Sequence, residues 1–258
     1  MRLPEIPRRR RWLPILALVL TAARLPAEVF DFASPTNLTG TIYQPGSQRQ
    51  KVLFTFQRTA RREGGTVRVV RKYFLPDGAT AAVENITYQS GQLADYRMQD
   101  FQAGISARIA VTNHLPPAAS PAMAISFVHG PIPPPAGWQK MPPDTLIDDN
   151  LYAFLLAHWE ALQRGEPVKF RFVALEPGKT INFRFVKTGE AVAAGRPVVI
   201  LKMEPTNFII AQFVDPLVFT VEKAPPHRVL SYTGGTTPRV KKGGKWKYLN
   251  AETVFDWN

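Results

Sequence analysis

The chain has 258 residues, of which 45% are hydrophobic and 20% charged, with 17 glycines and 24 prolines. This composition excludes a disordered or low-complexity chain and supplies enough apolar side chains for one large core. The formal net charge of +12 would favour a nucleic-acid partner, but part of that charge belongs to the first 27 residues.

Residues 1–27 have the features of an export signal. Four arginines, Arg8 to Arg11, precede an apolar run over residues 12–23, and small residues near position 27 suit cleavage. The run falls short of the roughly 20 residues of a membrane-spanning helix, and Pro14 interrupts it. We therefore predict a signal peptide, a mature start between Arg24 and Phe30, and a location in the periplasm or cell envelope. Cleavage leaves 26 basic and 19 acidic residues, a net charge of +7, which weakens the nucleic-acid interpretation.

Residues 38–112 are predicted to form an antiparallel meander. Short segments alternate apolar with polar residues, and Gly64-Gly65, Pro76-Asp77-Gly78 and Ser90-Gly91 supply turns between them. The predicted strands cover residues 51–58, 66–75, 81–88, 92–102 and 105–112. A sheet with this pattern has one apolar face and one face in water.

Residues 115–143 contain nine prolines, so neither a helix nor a central strand can persist there. We predict an extended crossing, with room for one strand over residues 123–128.

Residues 144–165 are predicted to form one long amphipathic helix. Asp144 suits the N-cap and Gly165 the position after the C-cap. Apolar positions recur at helical spacing and share one face, which includes a histidine: Ile147, Leu151, Phe154, Leu155, His158 and Leu162. His158 either titrates near neutral pH or bonds a strand carbonyl, and we favour the second. Asp148 and Asp149 fit the positive end of a helix dipole better than an acid–base pair.

Alternating segments return after the helix and predict a second set of strands. They cover residues 167–175, 180–187, 197–204, 207–214, 217–223 and 228–233, and a last strand closes at Asp256-Trp257. Aromatic Phe170, Phe172, Phe183 and Phe185 alternate here with Lys169, Arg171, Asn182 and Arg184. The predicted fold is therefore mainly β: residues 28–258 form a single domain with one highly curved antiparallel sheet, an open half-barrel, and the helix packed against it.

A cationic hairpin is predicted over residues 239–247. It combines five cations with one aromatic residue: Arg239, Lys241, Lys242, Lys245, Lys247 and Trp246. Two hypotheses explain it. The hairpin contacts anionic lipid or polysaccharide through its cations and Trp246, or its charges only protect an exposed sheet edge from aggregation.

Motifs of known chemistry are absent from the sequence. It has no cysteine, no nucleophile elbow, no phosphate-binding loop and no dinucleotide fingerprint. Its four histidines lie too far apart for a ligand motif: His114, His129, His158 and His227. We predict no catalytic residue, no metal and no cofactor.

Several segments together resemble a known group. They are the helix end at residues 157–165, Phe-Arg-Phe at 170–172 and 183–185, Gly195-Arg-Pro-Val-Val199 and His227-Arg-Val-Leu-Ser-Tyr232. The chain resembles uncharacterised exported bacterial proteins of a domain-of-unknown-function family, related in plan to outer-membrane lipoprotein carriers. The resemblance implies an open β half-barrel with an apolar concave face that shelters acyl chains. The chain departs from the carriers in having one helix and a proline-rich crossing.

Our leading hypothesis is a non-enzymatic envelope protein that binds an apolar or amphiphilic ligand, or an envelope partner, in the concavity. The expected lining is Phe154, Leu155, His158, Phe170, Phe172, Phe183 and Phe185. An alternative is an interaction protein that docks on lipid or another envelope component through the cationic hairpin or its sheet edges. A third is an enzyme of unrecognised type, which would need two titratable side chains converging in the concavity. Export disfavours nucleic acid.

Overall fold

The computed structural model describes residues 31–113 and 120–257. The fold is mainly β, with 57% strand and 9% helix, as predicted. The predicted signal peptide, its cleavage site, His114 and part of the proline-rich crossing lie outside the described residues.

The first half of the chain forms a meander of seven antiparallel strands, each paired with the next along the chain. The strands are β1 (Asn37–Tyr43), β2 (Val52–Glu63), β3 (Thr66–Phe74), β4 (Thr80–Gln89), β5 (Gln92–Asp100), β6 (Ile105–Thr112) and β7 (Ala122–His129). A two-residue strand, β8 (Gln139–Lys140), pairs with β7 at the sheet edge. The predicted meander and the predicted strand over residues 123–128 are confirmed.

The second half continues the same sheet. Its strands are β9 (Thr145–Leu146), β10 (Val168–Ala174), β11 (Lys179–Ala193), β12 (Arg196–Pro205), β13 (Leu217–Glu222), β14 (Val229–Gly235) and β17 (Asn250–Asp256). Between β14 and β17, the strands β15 (Val240–Lys242) and β16 (Lys245–Lys247) form a separate hairpin. β17 pairs with β14 on one side and with β1 on the other. The result is one open sheet of 15 strands with β8 and β9 at its edges.

The seam between the halves depends on a glycine. A Cβ on Gly40 in β1 would lie 2.8 Å from the carbonyl oxygen of Val254 in β17. The strands approach closely here because Gly40 has no side chain.

The prediction of one long helix over residues 144–165 is wrong. Thr145 and Leu146 are extended and pair in parallel with β10. Asp144 is therefore no N-cap, and its carboxylate instead ion-pairs with Arg171 at 2.5 Å. A 3-10 turn at Asp148–Asn150 then leads into two short helices, α1 (Leu151–Ala157) and α2 (Trp159–Gln163). The Asn150 side chain accepts a hydrogen bond from the Ile147 amide (2.8 Å) and shapes this turn.

The helical segment is interrupted at His158 and ends at Gly165. The chain turns at His158, which lets Trp159 stack on His227 with ring centroids 4.3 Å apart. Gly165 has a φ of 84° and ends α2 as predicted. The predicted apolar face is confirmed, because five of its residues are buried: Ile147, Leu151, Phe154, Leu155 and Leu162.

The strand predicted over residues 207–214 is also wrong. Asn207 caps a short helix, α3 (Phe208–Ala211), and its side chain accepts hydrogen bonds from the amides of Ile209 (2.8 Å) and Ile210 (3.3 Å). The cap satisfies backbone donors that a strand would need a neighbour to satisfy.

The core lies on the sheet face that α1 and α2 cover. The helices pack against β10–β14, where Phe170, Phe183 and Phe185 face inward. Met98 in β5 and Phe183 in β11 line the same cavity although eight strands separate β5 from β11 in the sheet order. The sheet therefore bends far enough to bring its two halves together around that cavity.

Candidate functional site

The larger of two neighbouring cavities has a volume of about 520 Å³ and lies between the two halves of the sheet. Its apolar wall comes from β5, β6 and β10 to β13, and includes Met98, Ile109, Phe172, Phe183, Met203 and Leu217. Phe213 and Tyr248 also line it and are 83% and 50% exposed. The cavity therefore opens to the surface beside these two rings.

A smaller cavity of about 110 Å³ lies between α1 and strands near the seam. Leu38, Ile42, Phe56 and Leu155 contribute to its apolar wall. The two cavities share a set of mostly polar lining residues: Asp148, Tyr232, Gly235, Thr236 and Thr237. They are thus neighbouring compartments with a polar boundary.

A buried ion pair anchors the 3-10 turn beside the small cavity. The Arg58 guanidinium donates to both carboxylate oxygens of Asp149, at 2.7 and 3.2 Å, and to the backbone carbonyls of Phe32 (2.8 Å) and Pro35. The Tyr88 hydroxyl donates to the same carboxylate at 3.0 Å. The exposed fraction is 5% for the Arg58 side chain and 1% for that of Asp149. Asp149 therefore holds the turn to the sheet.

A second ion pair lies next to the first. Arg71 Nη1 is 2.9 Å from Glu84 Oε2, while Glu84 Oε1 accepts from Tyr96 (3.1 Å) and Thr237 (2.6 Å). Burial raises the pKa of Tyr96 well above its ordinary value. Glu84 Oε1 is thus hydrogen-bonded from β5 and from the segment after β14, whereas Arg71 Nη1 and Glu84 Oε2 pair by charge without forming a hydrogen bond.

Asp148 differs from its neighbours because its side chain makes no hydrogen bond or ion pair with another described residue. Asp148 is exposed to the space of both cavities, and the larger cavity opens at the surface. The protein atoms around the carboxylate still desolvate it in part, which raises the pKa of Asp148 to about 6, with Glu84 and Asp149 raising it further and Arg71 opposing them. This cluster holds three carboxyl groups and two guanidinium groups, so one carboxyl has no counter-charge.

Asp148→Asn is expected to stabilise the fold at high pH only. Because the folded pKa lies above the unfolded one, ionisation of Asp148 destabilises the fold as pH rises from about 4 through 6. The variant should therefore melt at a higher temperature than wild type at about pH 8, and at the same temperature at about pH 4. Thermal unfolding followed by circular dichroism checks this, with exposed Asp256→Asn as the matched control. Equal effects of both variants at high pH would contradict it.

The structure distributes the seven predicted lining residues between packed core and cavity wall. Phe154, Phe170 and Phe185 are buried in the core with no surface on either cavity, and His158 is half-buried against the Phe154 ring at 4.4 Å. Leu155 lines the small cavity, and Phe172 and Phe183 line the large one. The aromatic face is therefore mostly filled, and the cavity lies at its margin.

The predicted hairpin over residues 239–247 is present, with a two-residue turn at Gly243 and Gly244, both at positive φ. Lys241, Lys242, Lys245 and Lys247 are exposed, and Trp246 is half-buried.

Arg239 lies beneath the hairpin. It is 8% exposed and ion-pairs with Glu176 at 2.9 Å. Its guanidinium also lies 4.2 Å from the centre of the Tyr248 ring. Arg239 therefore fixes the base of the hairpin and is unavailable to an external surface.

The charged residues inside the sheet escaped the sequence analysis, although a signal for them exists. Arg58 is in phase with Phe54 and Phe56 of β2, and Arg71 and Glu84 are equally in phase with the apolar faces of β3 and β4. Arg71 lies opposite Arg58 in one pairing and opposite Glu84 in the other. Charges in the apolar phase of three neighbouring strands indicate a buried polar row.

The described residues 31–113 and 120–257 contain no group of three or more His, Cys, Asp or Glu side chains arranged to hold a metal ion. Within the same ranges, no helix is long and apolar enough to cross a membrane. Comparisons with protein-family models, curated proteins and solved structures find no match to this chain.

Proposed function

We propose that this protein is a non-enzymatic envelope protein whose sheet forms an open half-barrel and binds an apolar or amphiphilic ligand in the large cavity. The observation that carries the proposal is a cavity of about 520 Å³ with an apolar wall, a polar inner boundary and an opening at the surface. Ligand sites in proteins typically have volumes of about 300–1,000 Å³ and this mixture of lining groups.

The wall of the cavity suits a hydrocarbon chain. Met98, Met203, Phe172 and Leu217 offer flexible or flat apolar surface, and methionine adapts to ligands of irregular shape. A bound chain would remove this apolar surface from water, which favours binding in proportion to the area covered.

The inner boundary suits the polar end of an amphiphile. Asp148, Tyr232 and Thr237 reach the space shared by both cavities, and Asp148 has no partner among the described residues. A ligand group that hydrogen-bonds there gains from the low local dielectric. The expected orientation places the polar end inward and the apolar chain along the sheet towards Phe213.

Catalysis is a second candidate, favoured by the Asp148 carboxyl with its pKa near neutrality. The neighbouring groups argue against it. Glu84 is held by Arg71, Tyr96 and Thr237, and Asp149 is held by Arg58 and Tyr88. These groups pair with one another by charge or hydrogen bonds, so they serve the fold and leave Asp148 without a nucleophile among the described residues.

A cavity-filling substitution tests the proposal. Ala174 lines the large cavity, so Ala174→Phe should occupy part of the space and weaken binding of N-phenyl-1-naphthylamine, a small apolar dye, by at least about tenfold. Fluorescence titration measures the dissociation constant. Ala191→Phe is the matched control, because Ala191 is exposed near the far end of β11.

Two outcomes would contradict the proposal. Wild-type protein that does not bind the dye lacks an accessible apolar cavity. Equal binding by both phenylalanine variants would place the dye elsewhere on the protein.

A further inference from the structure

Exposed apolar side chains concentrate around the mouth of the large cavity. Among the described residues, seven large hydrophobic side chains are exposed, and Phe208, Ile209 and Phe213 lie on α3 or just after it. Tyr248, on the segment between β16 and β17, is a fourth, and like Phe213 it lines the cavity. A cluster of this kind marks an interaction surface rather than scattered surface residues.

The cationic hairpin supplies positive charge beside this cluster. Lys241, Lys242, Lys245 and Lys247 are exposed and form no ion pair with another described residue. Their charge is therefore available to a partner, whereas four of the five basic residues on β11 and β12 have acidic neighbours, such as Arg184 with Glu204 and Arg196 with Glu222.

A hydrogen bond connects the two features at the cavity rim. The Asn250 side-chain amide donates to the Asp215 carboxylate. Asp215 follows Phe213 by two residues, and Asn250 follows Lys247 by three. The end of the α3 segment and the end of the hairpin thus meet at one side of the mouth.

We call the surface formed by residues 208–215 and 241–250 the rim, and we propose that it is a docking surface for a lipid bilayer with anionic headgroups. The α3 segment would insert among the lipids, and the hairpin lysines would lie on the headgroups. Phenylalanine and isoleucine on a short capped helix suit the apolar side of the interface, and lysines suit its charged side. Docking itself does not require a ligand. Passage of a ligand between bilayer and cavity would follow from it and rests on the proposed function.

Charge favours a bilayer over a second copy of the chain. In a symmetric dimer through this rim, the lysine-bearing hairpins of both copies would contribute like charge to one interface. An anionic bilayer instead complements four unpaired lysines, and its interior accepts the exposed rings without requiring a matching protein surface.

A single fluorescent label locates the contact. The chain has no cysteine, so Ile209→Cys carries one environment-sensitive nitrobenzoxadiazole group, and Val192→Cys, at a 73% exposed site in the β11–β12 hairpin, is the matched control. With vesicles of phosphatidylcholine and 30% phosphatidylglycerol, added at about 50 mM salt where screening is weak, the label at 209 should shift to the blue and brighten. The label at 192 should not change.

Three results would overturn the proposal. The label at 209 could stay unchanged on acidic vesicles, or both labels could respond alike. A blue shift at 209 without vesicles, growing with protein concentration, would identify a second copy as the occupant.

Neutralising the lysines tests the electrostatic half of the contact. Lys241, Lys242 and Lys245 changed together to glutamine should lower affinity for the acidic vesicles by on the order of a hundredfold at low salt, without affecting dye binding in the cavity. The same change at exposed Lys51, Lys72 and Lys169 serves as the charge-matched control. Equal losses in both triple variants would show that only net charge matters and would overturn the assignment to the rim. If neither the wild-type protein nor any variant binds the dye, the result counts against the proposed function and not against docking at the rim.

Discussion

Arg58→Ala is expected to lower the free energy of unfolding by about 3–5 kcal/mol. Removing the guanidinium leaves the Asp149 carboxylate, 1% exposed, with Tyr88 as its remaining hydrogen-bond donor. It also removes the donors to the Phe32 and Pro35 carbonyls. Chemical denaturation monitored by tryptophan fluorescence measures the loss.

Two further variants isolate the cause. Arg68→Ala removes an arginine whose ion pair with Glu63 is more than half exposed on both sides, and it should cost less than about 1 kcal/mol. Arg58→Met combined with Asp149→Leu should cost less than Arg58→Ala alone, because no buried charge is left unpaired. A double variant that loses as much as both single changes added together would contradict this explanation.

Leu155→Ala and Phe154→Ala are each expected to cost about 2–5 kcal/mol. Leu155 is 1% exposed and Phe154 4% exposed, and the Phe154 ring lies 5.1 Å from that of Phe170. Either change leaves a void between α1 and the strands beneath it. Denaturant titration again gives the free energy of unfolding.

Gln163→Ala is the matched control on the same helical segment. Its backbone carbonyl accepts from Lys187 at 3.1 Å, and the substitution keeps that bond, so the cost should stay within about 0.5 kcal/mol. Small and equal losses at positions 154, 155 and 163 would show that the apolar face of α1 is not part of the core.

Much of the sheet could be predicted because its sequence pattern is local. Alternation and turn residues identify β2 to β6, and glycines at positive φ end them, as at Gly64 and Gly91. The cationic hairpin follows from Gly243-Gly244 for the same reason. Alternation and turn residues are features of a few neighbouring residues, so they can be recognised without knowledge of the tertiary structure.

The bounds of the helical segments could not be predicted, because contacts with distant parts of the chain and local capping determine them. Thr145 and Leu146 are extended because β10 pairs with them, although both lie inside the range predicted to be helical. Residues 207–214 have strand-like composition, yet the Asn207 cap turns them into α3 at the surface. Tertiary pairing and capping override the weak intrinsic preference of such short apolar segments.

The candidate site was missed for a related reason. Asp148 and Asp149 are adjacent in sequence but have different surroundings in the fold. Asp149 ion-pairs with Arg58, which is 91 residues away, while Asp148 faces both cavities. The predicted aromatic lining was mostly core because Phe170 and Phe185 pack on one another at 5.1 Å. Spacing identifies an apolar face, but only the fold shows which part of it is left uncovered.

Native mass spectrometry of the purified protein tests whether the large cavity holds a ligand. We expect wild-type protein to retain an apolar or amphiphilic molecule from the cells that produced it, visible as an added mass that disappears on gentle activation. Ala174→Phe should lose this mass and Ala191→Phe should keep it. Wild-type protein that carries no such mass, and gains none after incubation with short-chain lipids, would show that the cavity does not bind such a ligand.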